Sequence, residues 1–433
     1  MARKLDAAAA GFAADFAALV AGKRDSDADV GEAAAKILAD VKARGDAAVI
    51  DYTTKFDRFT LTAAGMAFGA AEIAAARRAV DDETLRALHL AAERIEAYHR
   101  RLLPEDISFT DAAGVTLGAR YRPIESVGIY VPGGRAAYPS SVLMNALPAR
   151  IAQVPRVVMV VPTPNGEINP LVLAAAEIAG VTEIYRIGGA QAVGALAYGT
   201  ATIRAVDKIV GPGNAYVAAA KRQVFGMVGI DMIAGPSEIL VVADGANDPA
   251  WIAADLLSQA EHDPSSQSIL ITDDGAFAER VERAVTDHLK TLPRAEIAGA
   301  SWRDFGGIIV VKTLTDALPL IDRIAPEHLE LAIENAEAFA DKVRNAGAIF
   351  LGRHTPEAIG DYVAGPNHVL PTAGSARFSS GLGVVDFLKR TSLVRCGADA
   401  LAAIGPSAVT LAKAEGLGAH VLSVAIRLNM PRG

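Results

Sequence analysis

The sequence contains a single cysteine, Cys396, among 433 residues. One cysteine excludes an internal disulfide and any metal site built from several thiolates. It could still act as a nucleophile, but no Cys-His motif surrounds it. Because free cysteine is among the most often buried residue types, we expect Cys396 to be a buried structural residue.

The sequence also lacks long apolar runs and basic blocks. No apolar run approaches the ~18 residues that a membrane-spanning helix needs, so we expect no membrane partner. The net charge is −8 without a basic cluster, which argues against nucleic acid as a partner. Residues 7–14 form an Ala-rich run with no evident cleavage site, which favours an amphipathic helix over a signal peptide. A cytoplasmic location is therefore expected.

Aromatic residues make up only 6% of the chain, whereas hydrophobic residues make up 51%. This composition is typical of an α/β protein with large buried sheets. Residues 1–103 are predicted to be helical. From Gly114 onwards strands alternate with helices, and a similar block follows from about residue 230, which predicts two doubly wound lobes with parallel sheets. The C-terminal segment is again predicted to be helical, with Ser407 capping a helix that passes Glu415.

Three strands of the first block run into Gly-rich turns that open helices. The turns are Pro132-Gly133-Gly134, Gly188-Gly189-Ala190-Gln191 and Gly211-Pro212-Gly213-Asn214. Ligands of parallel sheets bind at such turns, where free helix N–H groups can hold a pyrophosphate. None of the turns matches G-x-G-x-x-G, and tight turns need glycine anyway, so a purely structural role remains an alternative.

Residues 248–264 are predicted to form a helix with Asp248 as its cap. Gln259 and His262 lie near its end, three residues apart and therefore on one face. A side-chain oxygen beside an imidazole could supply half of a metal site. The alternative is a solvated polar helix end.

Glu327 and His328 follow Pro326, which is predicted to open another helix. The helix dipole would favour Glu327 as a carboxylate, and His328 would titrate near neutral pH. Such a pair is suited to proton transfer. The Gly- and Ser-rich segment 371–383 predicts a long loop that lines a site.

Several separate stretches together resemble the histidinol dehydrogenase family over essentially the whole chain. They are Tyr130-Val131-Pro132-Gly133-Gly134, Gly211-Pro212-Gly213-Asn214, Ala234-Gly235-Pro236-Ser237-Glu238, Gln259-Ala260-Glu261-His262-Asp263, Pro326-Glu327-His328-Leu329-Glu330 and Gly365-Pro366-Asn367-His368. The resemblance implies two successive NAD-dependent oxidations that convert L-histidinol into L-histidine. It also implies that NAD is held on an atypical, incomplete Rossmann-like fold.

By this resemblance, one zinc ion per subunit would be bound by Gln259, His262, Asp361 and His420. Two nitrogen and two oxygen ligands suit Zn²⁺. His328 would be the base in both oxidations, and Glu327 would activate the water that attacks the aldehyde. The substrate-binding positions would be Ser237, Gln259, His262, His328, Asp361, His368, Glu415 and His420. The NAD contacts would be Tyr130, Gln191 and Asn214.

The family resemblance further implies a homodimer in which Glu415 and His420 reach the active site of the other subunit. We expect an N-terminal helical segment (1–25), a metal and catalytic domain (26–129 and 238–381), an NAD-binding domain (130–237) and a C-terminal dimerisation segment (382–433). Two alternatives are a zinc hydrolase that uses Glu327 and His328, and a non-catalytic nucleotide-binding or scaffold protein. The absence of H-E-x-x-H and related motifs counts against the hydrolase.

Overall fold

The computed structural model describes residues 2–22, 28–133, 138–233 and 235–430. Gly134 and Ala234, each part of a stretch quoted above, lie outside the described residues, as does part of the predicted segment 1–25.

The described residues form strands and helices that alternate through most of the chain. The strands are β1 (Arg3–Asp6), β2 (Ile107–Thr110), β3 (Thr116–Pro123), β4 (Ser126–Tyr130), β5 (Arg156–Val160), β6 (Glu183–Tyr185), β7 (Lys208–Val210), β8 (Gly229–Ile230), β9 (Glu238–Ala243), β10 (Gln267–Thr272), β11 (Gly307–Val310), β12 (His328–Ala332), β13 (Ala348–Leu351) and β14 (Leu388–Arg395). The helices are α1 (Phe12–Ala21), α2 (Ala28–Arg44), α3 (Asp46–Asp57), α4 (Ala70–Arg78), α5 (Asp82–Arg100), α6 (Pro139–Ile151), α7 (Pro170–Ala179), α8 (Gly189–Tyr198), α9 (Ala215–Val224), α10 (Pro249–Ala260), α11 (Gly275–His288), α12 (Ala295–Phe305), α13 (Leu318–Ile324), α14 (Ala336–Ala340), α15 (Glu357–Tyr362), α16 (Ala398–Ala414) and α17 (Gly418–Ala425).

Two parallel sheets repeat the same strand order. The five-stranded sheet runs β6-β5-β4-β7-β8, and the six-stranded sheet runs β1-β11-β10-β9-β12-β13. Numbered within each block, both contain the order 3-2-1-4-5, which is a Rossmann sheet without its sixth strand. The second sheet gains β1 at the edge beside β11. The predicted α/β class with two incomplete, doubly wound lobes is confirmed.

Alternating side chains of these strands enter separate apolar cores. In β5, Val158 and Val160 face one core and Met159 faces another. In β9, Leu240 and Val242 face a third core, with Ile239 and Val241 turned to a fourth. Strands covered on both faces in this way account for the continuous apolar runs in the sequence.

The N-terminal region contains a strand that the sequence analysis did not predict. Residues 3–6 pair in parallel with β11, from Arg3 opposite Gly307 to Asp6 opposite Val310. The expected helix begins only at Phe12. The helical prediction was wrong for residues 3–6, because a four-residue edge strand is too short to show a period of its own.

The segment around His328 is a strand, so the predicted helix there was wrong. Residues His328–Ala332 form β12, whose five residues are all buried. β9 and β13 flank it, with His328 opposite both Ile239 and Ala348. Glu327 therefore does not lie in the first turn of a helix, and the dipole argument for its charge does not apply.

The C-terminal segment also differs from its prediction. β14 pairs antiparallel with β3 from Leu388 opposite Pro123 to Arg395 opposite Thr116, and β3 continues to β2. Cys396 follows β14 and is exposed, so its predicted burial was wrong. α16 begins after Gly397, which places Ser407 inside the helix rather than at its cap, and Glu415 follows its last residue.

The N-terminal helices pack mainly on the five-stranded lobe. α2 contacts α8 and α9, and α5 contacts α6. The expected division had grouped residues 26–129 with the other lobe. None of the described helices is both long and apolar enough to span a membrane.

Candidate functional site

The amino ends of β9 and β12 bring three polar residues together. Because β9 and β12 are adjacent and parallel, Glu238 at the start of β9 lies beside Glu327 and His328 at the start of β12. The Glu238 backbone N–H donates to Oε2 of Glu327 over 2.8 Å. The His328 Nδ1–H donates to the Glu238 carbonyl oxygen over 2.9 Å. The cluster therefore lies at the amino edge of this sheet, whereas the Gly-rich turns lie at the carboxyl edge of the other.

The His328 ring is held in one tautomer. A carbonyl oxygen can only accept, so Nδ1 carries the proton and Nε2 is left with a lone pair. Nε2 is buried without a hydrogen-bond partner among the described residues, 3.6 Å from Oε1 of Glu357. Burial lowers the pKa of His328, but the carboxylates of Glu327, Glu357 and Asp361 outweigh it and raise the pKa overall.

The end of α10 and the short helix α15 face this ring. Gln259 is buried in the last turn of α10, and His262 follows the helix end. Nε2 of His262 lies 3.9 Å from Oδ2 of Asp361 in α15. Ligand atoms of His328, Glu357 and Asp361 all lie within 4.8 Å of one another. Carboxylates and imidazoles at these separations can share a divalent cation.

The two acids of α15 respond to this environment in opposite ways. Burial by itself would raise the pKa of Asp361, but a hydrogen bond from His368 and the nearby imidazoles hold that pKa well below its usual range. Burial, reinforced by the charge of Asp361, raises the pKa of Glu357 to about 7 against the opposing effect of His328. The pair thus combines a firmly ionised carboxylate with one that is more easily protonated.

His368 links this cluster to the other lobe. Its Nδ1–H donates to the Asp361 carbonyl oxygen over 3.1 Å and lies 3.6 Å from the Asp361 carboxylate. Its Nε2 is 3.3 Å from Oγ of Ser141 in the first turn of α6. α6 follows β4, so the cluster faces the carboxyl edge of the five-stranded sheet, where the Gly-rich turns are.

The Gly-rich turns bring three polar side chains to that edge. Tyr130 ends β4, and its hydroxyl oxygen accepts from the Gly189 N–H over 3.0 Å. Burial raises the pKa of Tyr130 to about 12. Asn214 caps α9 by accepting from the Val217 N–H over 3.1 Å. Gln191 is buried in α8, and its Oε1 has no partner among the described residues.

Three comparisons relate this architecture to known proteins. A sequence model described as "Histidinol dehydrogenase" matches residues 21–428. The histidinol dehydrogenase of Rhodospirillum rubrum is 68% identical over 427 residues, covering 98% of each chain. That of Bradyrhizobium diazoefficiens is 65% identical, covering 99% of each. The crystal structure of histidinol dehydrogenase from Elizabethkingia anophelis superposes with a TM-score of 0.94 at 38% identity, covering 99% of this chain and 98% of that one.

This chain belongs to the histidinol dehydrogenase family. It is thus placed among NAD-dependent oxidoreductases, and the matches do not favour the hydrolase alternative.

Within one chain, the structure brings together most of the residues that the family resemblance selected. Gln259, His262, His328, Asp361 and His368 form the cluster, with Glu327 beside it; Ser237 immediately precedes β9. Glu415 and His420 are exposed at the end of α16 and in α17. Among the described residues, neither forms a hydrogen bond or ion pair with the cluster.

Glu357 is the residue of this cluster that the sequence analysis missed. It is 1% exposed and lies four residues before Asp361, so both occupy one face of α15. That spacing was readable in the sequence, but its meaning depended on the fold placing α15 over His328.

The buried donor set fits a divalent cation. Nε2 of His328 and Oε1 of Glu357, which both carry lone pairs, are buried without hydrogen-bond partners in the described chain. Buried polar atoms without partners are costly, and a bound ion or substrate removes that cost. Two ligand atoms that each lie about 2.1 Å from a tetrahedral zinc ion are about 3.4 Å apart, and the 3.9 Å between Nε2 of His262 and Oδ2 of Asp361 lies within about half an ångström of that spacing.

Proposed function

We propose that this chain oxidises L-histidinol to L-histidine through L-histidinaldehyde, using two NAD per substrate, as the last step of histidine biosynthesis. The observation that carries the proposal is the His328 ring, whose Nδ1 is fixed by Glu238. Its Nε2, which has no hydrogen-bond partner among the described residues, lies close to Glu357 and Asp361. A fixed base next to a cation site suits removal of a proton from a bound alcohol.

The residues divide the chemistry between them. Nε2 of His328 takes the hydroxyl proton of the alcohol and later that of the hydrated aldehyde. Glu327, aligned by the Glu238 N–H, activates the water that adds to the aldehyde. When bound, zinc would orient the substrate, and NAD would be the hydride acceptor for each oxidation.

We assign one zinc per subunit to Gln259, His262, Asp361 and His420. These four residues would also contact the substrate, together with Ser237, His328, His368 and Glu415. Tyr130, Gln191 and Asn214 would contact NAD, because each lies at a Gly-rich turn at the carboxyl edge of the five-stranded sheet.

We also propose a homodimer in which Glu415 and His420 complete the site of the second copy. Both side chains are exposed, and the helices that carry them expose apolar residues such as Leu411, Leu422 and Ile426. An apolar surface of this kind is typical of an interface between subunits. The division into domains given above and a cytoplasmic location remain part of this proposal.

An assay of NADH formation with L-histidinol tests the reaction. We expect about two NADH per histidine formed, because each oxidation removes one hydride. Hydrolysis of an ester or amide substrate, with no NADH formed from L-histidinol, would support the hydrolase instead. Zinc analysis of the unchelated protein provides a second test, since absence of bound metal would support the scaffold alternative.

A further inference from the structure

A buried carboxylate lies near the carboxyl end of β5, the second strand in chain order of the five-stranded sheet. This is the edge of the sheet where the Gly-rich turns lie. Asp57 is the last residue of α3 and is only 9% exposed. Burial raises the pKa of its carboxyl, an effect that the nearby Thr163 backbone N–H opposes, and its Oδ2 has no partner among the described residues. The Oγ1 of Thr163, which is itself fully buried, is also without a partner there.

The turns beside Asp57 are packed closely against one another. A Cβ on Gly133 would lie 2.6 Å from the Pro162 carbonyl oxygen, and one on Gly188 would also collide with Pro162. A Cβ on Gly166 would lie 2.7 Å from the ring of Phe59. The turns that follow β4, β5 and β6 therefore converge around Pro162, next to Thr163.

The strand order relates the position of Asp57 to the ribose site of dinucleotide-binding sheets. In a 3-2-1-4-5 sheet, the adenosine ribose of a dinucleotide lies at the carboxyl end of the second strand, where an acid binds its hydroxyl groups. The second strand here is β5; residues 161–166 after it contain no acid, and Glu167, which follows them, is exposed. Asp57 brings a carboxylate to that place from a helix that precedes the whole sheet.

We propose that Asp57 binds the adenosine ribose hydroxyl groups of NAD and thereby selects NAD over NADP. The inference rests on the proposed use of NAD and adds the residue that sets cofactor specificity. An Oδ2 atom without a partner can accept from a ribose hydroxyl, whereas the 2′-phosphate of NADP would place like charges together in a buried site. The nearby Tyr130 hydroxyl lies within the electrostatic reach of Asp57, which joins this position to the proposed NAD contacts.

The test compares binding of NAD and NADP to wild type and to Asp57→Asn by calorimetry, alongside turnover with L-histidinol. Asparagine keeps the size and shape of the side chain and removes the charge. We expect NAD to bind at least about tenfold more weakly and the preference over NADP to fall by a similar factor. An unchanged preference in folded Asp57→Asn overturns the inference.

Asp46 offers a matched control because it begins the same helix. Its carboxylate is already occupied by Thr202, whose hydroxyl donates to Oδ2 over 2.6 Å. Asp46→Asn should therefore leave the NAD preference unchanged, even if stability falls. A shift in preference equal to that of Asp57→Asn would indicate a general structural effect and overturn the specific role.

A measurement on the wild type does not depend on any variant folding. NAD that lacks the adenosine 2′-hydroxyl should bind at least about tenfold more weakly than NAD. Equal binding overturns the inference. If the wild type neither binds nor reduces NAD, the proposed function fails and this inference fails with it. If the wild type turns over NAD but Asp57→Asn keeps the wild-type preference for NAD over NADP, only this inference is overturned.

Discussion

Lys221 and Asp231 form a buried ion pair that holds both backbone groups of Gly211. Nζ of Lys221 donates to the Asp231 carboxylate and to the Gly211 carbonyl oxygen, the latter over 2.8 Å. The other carboxylate oxygen accepts from the Gly211 N–H over 2.7 Å. Gly211 has a φ of +102°, and a Cβ there would collide with the Tyr130 carbonyl oxygen. One ion pair thus fixes a turn that glycine alone can form, between two proposed NAD contacts.

Replacing Lys221 with methionine should destabilise the protein and weaken NAD binding. The change leaves Asp231 as an unpaired charge at a side-chain exposure of 1%, which costs about 3–5 kcal/mol. Because the turn loses an anchor, we expect the KM for NAD to rise more than the KM for L-histidinol. Urea unfolding and steady-state kinetics measure the two effects.

The exposed ion pair between Arg44 and Asp40 provides a control for Lys221→Met. Arg44→Met should change neither the unfolding midpoint nor the KM for NAD appreciably, since exposed pairs contribute little. Equal effects of the two variants would contradict the role given to burial.

Replacing His328 with asparagine should remove most turnover and leave the metal in place. Loss of a general base typically costs about 10²–10⁴ in rate. The proposed zinc ligands are other side chains, so metal content by atomic absorption should stay near that of the wild type. Full turnover in this variant would place the base elsewhere, and loss of zinc would make His328 a ligand.

His288 is a suitable control for the His328 variant. Its ring contacts the Ala250 carbonyl oxygen over 2.9 Å at the opposite end of α10 from Gln259. His288→Asn should leave kcat unchanged. A loss of turnover as large as that of His328→Asn would contradict the assignment of the base.

Elements with a strong period of hydrophobic residues were predicted from the sequence. Elements whose conformation depends on strands distant in the sequence were missed. The cap of α10 at Asp248 and its end near Gln259 follow from local rules. β12 was predicted as a helix because Pro326 and two acids resemble a helix start. Its strand conformation depends on β9 and β13 at either side, and neither neighbour is visible within a local window.

The candidate site shows the same division between local and distant information. Gln259 and His262 are close in sequence, so their proximity was predictable from helix geometry. Asp361 and His368 reached the prediction only through the family resemblance, because a hundred residues of intervening chain carry no spacing rule. Glu357 and Asp57 were missed because the role of each depends on burial, which sequence patterns do not report for charged residues.

Stability should fall between about pH 6.5 and pH 4 because of His99. The ring is 1% exposed, both nitrogens lack partners among the described residues, and burial lowers its pKa to about 4. The unfolded chain binds the proton near pH 6.5, so its stabilising effect is fully present above that pH and lost as pH falls through the folded pKa. The maximum contribution is about 3 kcal/mol, given about 1.4 kcal/mol per pKa unit.

Replacing His99 with phenylalanine should flatten this pH dependence. Unfolding free energies at pH 7 and pH 5 should then differ by less than in the wild type. His89→Gln, on the exposed side of the same helix, should keep the wild-type slope. If the slope of His99→Phe equals that of the wild type, another group causes the acid sensitivity.

Mixing two inactive variants should restore activity if ligands cross between subunits. His420→Asn and Gln259→Ala each remove a proposed zinc ligand. In a crossed dimer, each site combines Gln259 of one chain with His420 of the other, so both substitutions of a mixed dimer fall in the same site. A mixed dimer therefore keeps one intact site, and random exchange of equal amounts should restore about a quarter of wild-type activity. The measurement is NADH formation after joint unfolding and refolding, with each variant refolded alone as the control. Absence of recovery, with dimers verified by sedimentation, would place His420 in the site of its own chain, and its exposed position in α17 would then need a different explanation.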